Sequence, residues 1–292
     1  MNKIKFIDRD VQVCDSGDRN FRKRICIATP TIGNVRIEWA LGRFGQIIPC
    51  NWSNSDIFQF FDHFAPLNYS VDDAQNICVK HAIDIGAEWL FLLEHDVLIP
   101  GNTFIKLNDY MREGKIPVVS GLYYAKSRYP EPLIYRGSGN GYFENWKFGD
   151  KVWVDGVPTG CLLIHMSLLR AMWDESEEYT ANTTMGKMVV RRVFETPRKC
   201  WIDPEKGDFR KECGTSDLYW CRRVIEGGYF KKSGWTRYHG KKYPFLCDTS
   251  IFSQQIDDSG VCYPGPLYRT SKQWIGSPME KEEKERMGYG KK

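Results

Sequence analysis

Five consecutive apolar residues, Trp89-Leu90-Phe91-Leu92-Leu93, run without interruption into Glu94-His95-Asp96. A strand that faces water on one side alternates apolar and polar residues. An unbroken apolar strand is buried on both faces, as in the middle of a sheet covered by helices. The flanking sequence agrees. Ser70-Val71-Asp72-Asp73 supplies an N-cap residue with an acid three positions on, and Val71, Ala74, Ile77, Cys78, Ala82 and Ile85 recur at helical spacing up to Gly86. Pro100-Gly101 opens a further helix over about 103–112, and Val118-Val119-Ser120 reads as another strand. Upstream, Ile25-Cys26-Ile27-Ala28-Thr29 reads as a buried strand stopped by Pro30 and Gly33, and Gln46–Cys50 as a second strand. This alternation predicts a single α/β domain, Rossmann-like, with a central, mostly parallel sheet flanked by helices.

The second half is less regular. Lys151–Val154 and Cys161–Ile164 read as short strands around the turn Gly156-Val157-Pro158-Thr159-Gly160. Thr215–Glu226 reads as a helix ending at Gly227-Gly228. Residues 174–212 lack periodicity and are expected to form a loop or insertion, and the charged stretch Glu280–Lys292 a frayed tail. Residues 1–120 are therefore read as a nucleotide-binding half. Residues 121–292 are read as an irregular, acceptor-shaping half of the same domain.

Composition narrows the class. Of 292 residues, 42% are apolar and 27% charged, which excludes a disordered or fibrous chain. No apolar run reaches the roughly 18 residues of a membrane span, and the first residues lack a leader's apolar core, so the expectation is a cytoplasmic protein without a transmembrane segment. The ten cysteines include no C-x-x-C pair, which points to reduced, structural thiols. Residues 182–246 carry a local net charge of +8, against +4 for the whole chain. That segment is either a solvated face or a surface for a polyanionic partner.

The chemistry centres on Glu94-His95-Asp96. Ligands of open α/β sheets bind at the carboxyl ends of strands. Two carboxylates there suit a hard divalent cation such as Mg²⁺ or Mn²⁺, which takes oxygen ligands together with substrate phosphates. The alternative is an acidic strand-to-loop turn with no ligand.

The stretch from Tyr69 to Leu107 resembles the D-x-D region of GT-A-fold glycosyltransferases of the family-2 type, with Glu94 in place of the first Asp and Asp96 matching the second. Three further segments match in order. Asp155–Ile164 resembles the glycine-containing turn and strand that line the sugar and acceptor pocket. Gly214-Thr215-Ser216-Asp217-Leu218-Tyr219-Trp220 resembles the segment opening the catalytic helix. His239, in Tyr238-His239-Gly240, stands where many members place a metal ligand.

The resemblance implies a hexosyl- or pentosyltransferase using a nucleoside-diphosphate sugar, UDP-linked, with Mn²⁺ or Mg²⁺. The ion would be held by Asp96, His239 and Glu94, with Glu94 alternatively touching sugar and ribose, and would act as a Lewis acid on the leaving diphosphate. Asp217 would be the general base, ionised by its helix N-terminus, or else a helix-capping residue. His239 is alternatively a structural histidine, and His95 is expected to be structural. Thr29, Pro30 and Thr31 end the first strand where a family member contacts uracil or ribose. Asn76 and Lys80, one turn apart, reach the nucleotide or lie on a solvated helix face, and Arg36 has the same two readings. The acceptor implied is a glycan, saccharide or lipid-linked, or a hydroxymethylated base in DNA. Two rival readings are a nucleotidyltransferase, for which Thr29–Asn34 lacks a Gly-rich basic phosphate loop, and a non-catalytic nucleic-acid-binding module.

Overall fold

The first apolar run forms strand β1 (Ile25–Ala28), with all four residues buried. Helix α1 (Ile37–Phe44), β2 (Phe61–Phe64), α2 (Val71–Asp84), β3 (Trp89–Leu93), β4 (Val97–Leu98), α3 (Thr103–Glu113) and β5 (Val118–Leu122) follow in order. The second half contributes β6 (Lys151–Val154), β7 (Cys161–His165) and α4 (Met166–Glu175), then β8 (Glu178–Thr183), β9 (Gly186–Arg191), β10 (Arg198–Ile202) and β11 (Phe209–Cys213). The last elements are α5 (Ser216–Glu226), α6 (Tyr229–Lys232), β12 (Phe245–Phe252), β13 (Gln254–Ile256) and β14 (Cys262–Tyr263). The computed structural model describes residues 25–47, 61–127, 130–137, 142–183, 186–202 and 209–265.

Seven strands form the central sheet in the order β2-β1-β3-β7-β5-β12-β6. β1 is parallel to β2 and β3, and β5 is parallel to β12. β7 runs antiparallel between β3 and β5, and β6 runs antiparallel to β12 at the edge. Leu93 therefore pairs with Cys161, so the last residue of β3 lies beside the first residue of β7. That register carries the Gly156–Gly160 turn to the carboxyl end of β3.

Alternate residues of the buried strands feed two layers. Cys26, Ala28, Leu90, Leu92, Leu162 and Ile164 pack with Cys78 and Val79 of α2, Leu168 and Leu169 of α4, and Trp220 and Val224 of α5. Ile25, Ile27, Phe91, Leu93 and Leu163 face the other way, onto Trp39 of α1 and Phe104, Leu107 and Met111 of α3. Cys26, Cys78, Cys161, Cys221 and Cys247 are buried thiols. Among the described residues no helix is long and apolar enough to cross a membrane.

Several sequence expectations are corrected here. The second strand is Phe61–Phe64, not Gln46–Cys50. Gln46 and Ile47 are outside any strand, and Gln46 instead donates from Nε2 to the Gly42 and Pro100 carbonyls at 2.7 and 2.9 Å. Ile48–Cys50 lie outside the described residues. Lys151–Val154 and Cys161–Ile164 are strands as expected, the second running on to His165. Within 174–212, expected to be irregular, β8 pairs with β9 and β10 with β11 as antiparallel hairpins. Their apolar residues do not keep a period of two, since Met188-Val189-Val190 and Cys200-Trp201-Ile202 run together. Ser70 occupies the N-cap position of α2, but its hydroxyl donates to Asp72 Oδ1 at 2.7 Å instead of capping the helix. The tail Glu280–Lys292 lies outside the described residues.

Candidate functional site at the carboxyl edge of the sheet

The backbone of Glu94-His95-Asp96 is tied at each end. The Glu94 amide donates to Gly160 O at 3.1 Å, and Glu94 O accepts from Trp39 Nε1 at 2.9 Å and from Val97 N at 3.1 Å. Asp96 O accepts from Ile256 N at 2.8 Å, where β4 and β13 pair. His95 Nδ1 donates to Pro30 O at 3.2 Å, joining the ends of β3 and β1. The Glu94 and Asp96 side chains are thus presented from a fixed frame at the carboxyl edge.

The Gly156–Gly160 turn completes the wall. Thr159, buried, donates from Oγ1 to Glu94 Oε1 at 3.1 Å and accepts from Gln75 Nε2 at 3.0 Å. Gly160 N donates to the Tyr123 hydroxyl at 2.8 Å. A Cβ at Gly160 would collide with that hydroxyl and stand 2.9 Å from Glu94 Oε2, so only glycine lets the turn sit this close. A Cβ at Gly156 would stand 2.7 Å from Leu218 Cδ2, which shows how tightly the turn abuts the start of α5.

Asp217, the second residue of α5, accepts from Leu218 N at 2.8 Å and belongs to the same cluster electrostatically. Burial, then the charges of Asp96 and Asp217, push the Glu94 carboxyl up to about 8. Burial also raises Asp217 above the usual aspartate range, against the lowering effect of the Thr215 hydroxyl and the Leu218 amide. Burial thus works against the helix N-terminus, which favours the ionised Asp217 carboxylate. Burial raises the Tyr123 phenol, with Glu94 and Asp217 adding to it. The Glu94 carboxyl, crowded by two other acids, can take up and release a proton near neutral pH.

Of the other expected residues, Thr29, Pro30 and Thr31 do lie on this edge, at the end of β1. The Thr29 amide donates to Phe64 O at 2.8 Å, and the Thr31 backbone pairs with Pro66 and Asn68. Asn76 does not join this cluster. It is buried, donates to Phe194 O at 2.8 Å and to the Tyr179 hydroxyl at 2.9 Å, and accepts from Phe194 N at 2.7 Å, so its amide is used up in holding the second half of the chain. Lys80 pairs with Asp84 at 2.6 Å on the surface of α2, on the stretch that runs toward the amino edge. Arg36 pairs with Glu38 at 2.8 Å.

His239 is placed elsewhere. It is exposed beside Gly228, and the preceding Tyr238 donates to Lys115 O, ahead of the first residue of β5. That is the amino edge of the parallel strands, a strand length (roughly 16 Å) from Asp96. The expected metal set of Glu94, Asp96 and His239 is therefore not brought together. Among the described residues no group of three His, Cys, Asp or Glu is arranged to hold a metal ion, and Asp96 Oδ2 is in an ion pair with Lys126. Glu94 and Asp96 remain together at the carboxyl edge, with Asp96 engaged by Lys126.

Four residues that the sequence did not single out as site residues belong to the wall: Gln75, Tyr123, Lys126 and Thr159. Thr159 lay within the quoted turn. Tyr123 and Lys126 follow β5 directly, and their position after a buried strand was the available signal.

The basic residues of 182–246 are partly committed within the fold. Arg191 donates to the Trp173 and Asp174 carbonyls, Arg223 to the Arg192 and Val193 carbonyls, and Lys232 pairs with Glu175 at 2.7 Å.

Gly160→Ala is expected to lower stability by about 1–3 kcal/mol, the usual range for overpacking. Tyr123→Phe in the same chain removes the colliding hydroxyl and should recover part of that loss. Thermal melts of the two single variants and the double variant test this coupling. A Gly160→Ala protein as stable as the parent would mean that the turn moves freely and does not set the position of Glu94.

No protein-family model matches the chain, and no curated protein matches it. Among solved structures, A197 from STIV is similar over 82% of this chain and 88% of that one, with 16% sequence identity and a TM-score of 0.45. At that level the similarity carries no argument about this chain's function.

Proposed function

We propose that the carboxyl-edge pocket transfers a sugar from a nucleoside-diphosphate sugar, UDP-linked, to an acceptor hydroxyl, on a fold of the GT-A type. One observation carries this reading. Three segments that resemble glycosyltransferase motifs, around Glu94, Gly160 and Asp217, are far apart in sequence and meet in one cluster at the carboxyl edge. The strand order supports it, because β7 brings the glycine turn to the end of β3.

The chemistry follows from the residues. The acceptor oxygen attacks the anomeric carbon of the donor, its proton passes to the Asp217 carboxylate, and the bond from the sugar to the diphosphate breaks with the electron pair leaving on phosphate. Burial brings the Asp217 basicity closer to working pH than that of an exposed aspartate. Glu94 and Thr159 line the place of the transferred sugar, offering hydrogen bonds to its hydroxyls. The acceptor that suits this pocket is a glycan hydroxyl. A nucleic-acid acceptor would need the basic segment free, and two of its arginines, Arg191 and Arg223, are engaged with backbone carbonyls.

A panel of nucleotide sugars, assayed by thermal shift and by release of nucleoside diphosphate, tests the reading. One UDP-sugar at about 100 times its Kd should stabilise the protein by about 2.7 kcal/mol, or about 5–10 °C for a domain of this size. No shift and no nucleotide release across the panel would refute the assignment.

A further inference from the structure

We infer that Lys126 is the residue that receives the donor's diphosphate, standing where a metal ion would otherwise supply the positive charge; this rests on the donor reading above. A diphosphate at this site meets the charges of Asp96 and Asp217, which oppose it as they oppose the ionisation of Glu94. A cation is needed at the same place. Lys126 is a cation whose charge acts at Glu94, and its ammonium is paired with Asp96. Other cations near this part of the fold are engaged elsewhere: Arg36 with Glu38, and Lys106 with the Ser250 carbonyl at 2.6 Å.

The geometry around Lys126 suits a ligand contact. Its ammonium rests on Asp96 Oδ2, and its side chain is 32% exposed, so the head group can turn to an incoming phosphate without leaving the edge of the pocket. Asp96 is a fixed post, because its carbonyl is held by β13. Its other oxygen, Oδ1, is buried with no hydrogen-bond partner. A buried carboxylate oxygen without a partner is costly, and a hydroxyl of the donor's ribose or sugar would satisfy it. Asp96 and Lys126 thus act as a pair. The carboxylate aims the ammonium and takes a donor hydroxyl, and the ammonium takes a phosphate oxygen. In the transfer step the sugar–phosphate bond breaks, and the negative charge gained by the diphosphate falls beside Lys126. A divalent ion on Asp96 would have to displace this lysine and then lie beside its charge.

The test is calorimetric binding of UDP and of uridine, in EDTA, to the parent chain, Lys126→Gln and Lys126→Arg, with the fold of each variant checked by circular dichroism. Loss of one charge-assisted hydrogen bond predicts that Lys126→Gln binds UDP about 10–100-fold more weakly. Uridine, which lacks phosphate, should bind the parent and Lys126→Gln alike. Lys126→Arg should stay within a few-fold of the parent for UDP. Equal UDP affinity for the parent and Lys126→Gln overturns the inference. So does UDP binding by the parent that vanishes in EDTA and returns with Mn²⁺. A parent chain that binds neither UDP nor any UDP-sugar removes the donor reading itself, and the role of Lys126 with it.

Discussion

Asp217→Asn is expected to slow sugar transfer by about 10²–10⁴-fold, the usual contribution of a general base. Asp217 sits in the first turn of α5, where its Oδ1 accepts from Leu218 N at 2.8 Å. Asparagine retains an oxygen for that bond, so the helix start survives and only the basicity is lost. Donor affinity should change within a few-fold, because the diphosphate is assigned to Lys126 and not to Asp217. The comparison that decides is kcat for transfer beside donor Kd in the same variant. Transfer at near the parental rate would leave Asp217 as a residue of the helix start. A parallel collapse of donor affinity would place it in the donor site instead. The pH profile adds a second readout. Burial raises the Asp217 carboxyl, so the rising limb of kcat should lie above the range of an exposed aspartate and should vanish in the variant.

Glu94→Gln is expected to stabilise the protein in alkaline solution and to change little in acid. The Glu94 carboxyl is pushed from 4.5 up to about 8, first by burial and then by Asp96 and Asp217. A folded-state value above the unfolded one means that the fold prefers the neutral acid. The stability contributed by that neutral form is fully present below pH 4.5 and is lost as the pH rises through about 8. Glutamine has no proton to lose and still offers an oxygen to Thr159. The gap between variant and parent should therefore open across that window and level off above it. Each tenfold gain in a carboxylate's proton affinity on folding corresponds to about 1.4 kcal/mol. With partial solvation of the pocket, a gap on the order of 2–4 kcal/mol is expected at pH 9. Thermal melts at pH 5, 7 and 9 measure it. A gap that is constant with pH would show that Glu94 is ionised throughout, with Lys126 balancing it, and that crowding by the other two acids is not what governs its charge.

Much of the edge of this pocket was legible in the amino-acid order. The run Trp89–Leu93 could only be a strand buried on both faces, so Glu94 and Asp96 had to emerge at its carboxyl end. The period of α2 and the stop at Gly86, which takes a φ of +68°, were local facts of the same kind. So was the helix opened at Ser216, which places Asp217 in a first turn. Each rests on spacing between near neighbours, which the chain carries whatever the rest of it does.

The tertiary structure decided what these pieces meet. No local pattern told that β7 would enter antiparallel between β3 and β5, yet that pairing is what sets Gly160 against Tyr123 and Glu94. Asn76 has the same residue type and helical spacing whether it faces a nucleotide or the Phe194 backbone; a contact across 118 positions settled it. His239 and Asp96 could share a ligand only if β12 began at the opposite edge of the sheet. The charge states of Glu94 and Asp217 depend on burial and on one another's fields, quantities that exist only once distant segments have packed. Local order along the chain determined which groups reach the carboxyl edge, and long-range packing decided which of them share a pocket, because desolvation and Coulomb energy depend on distance in space and not on separation in sequence.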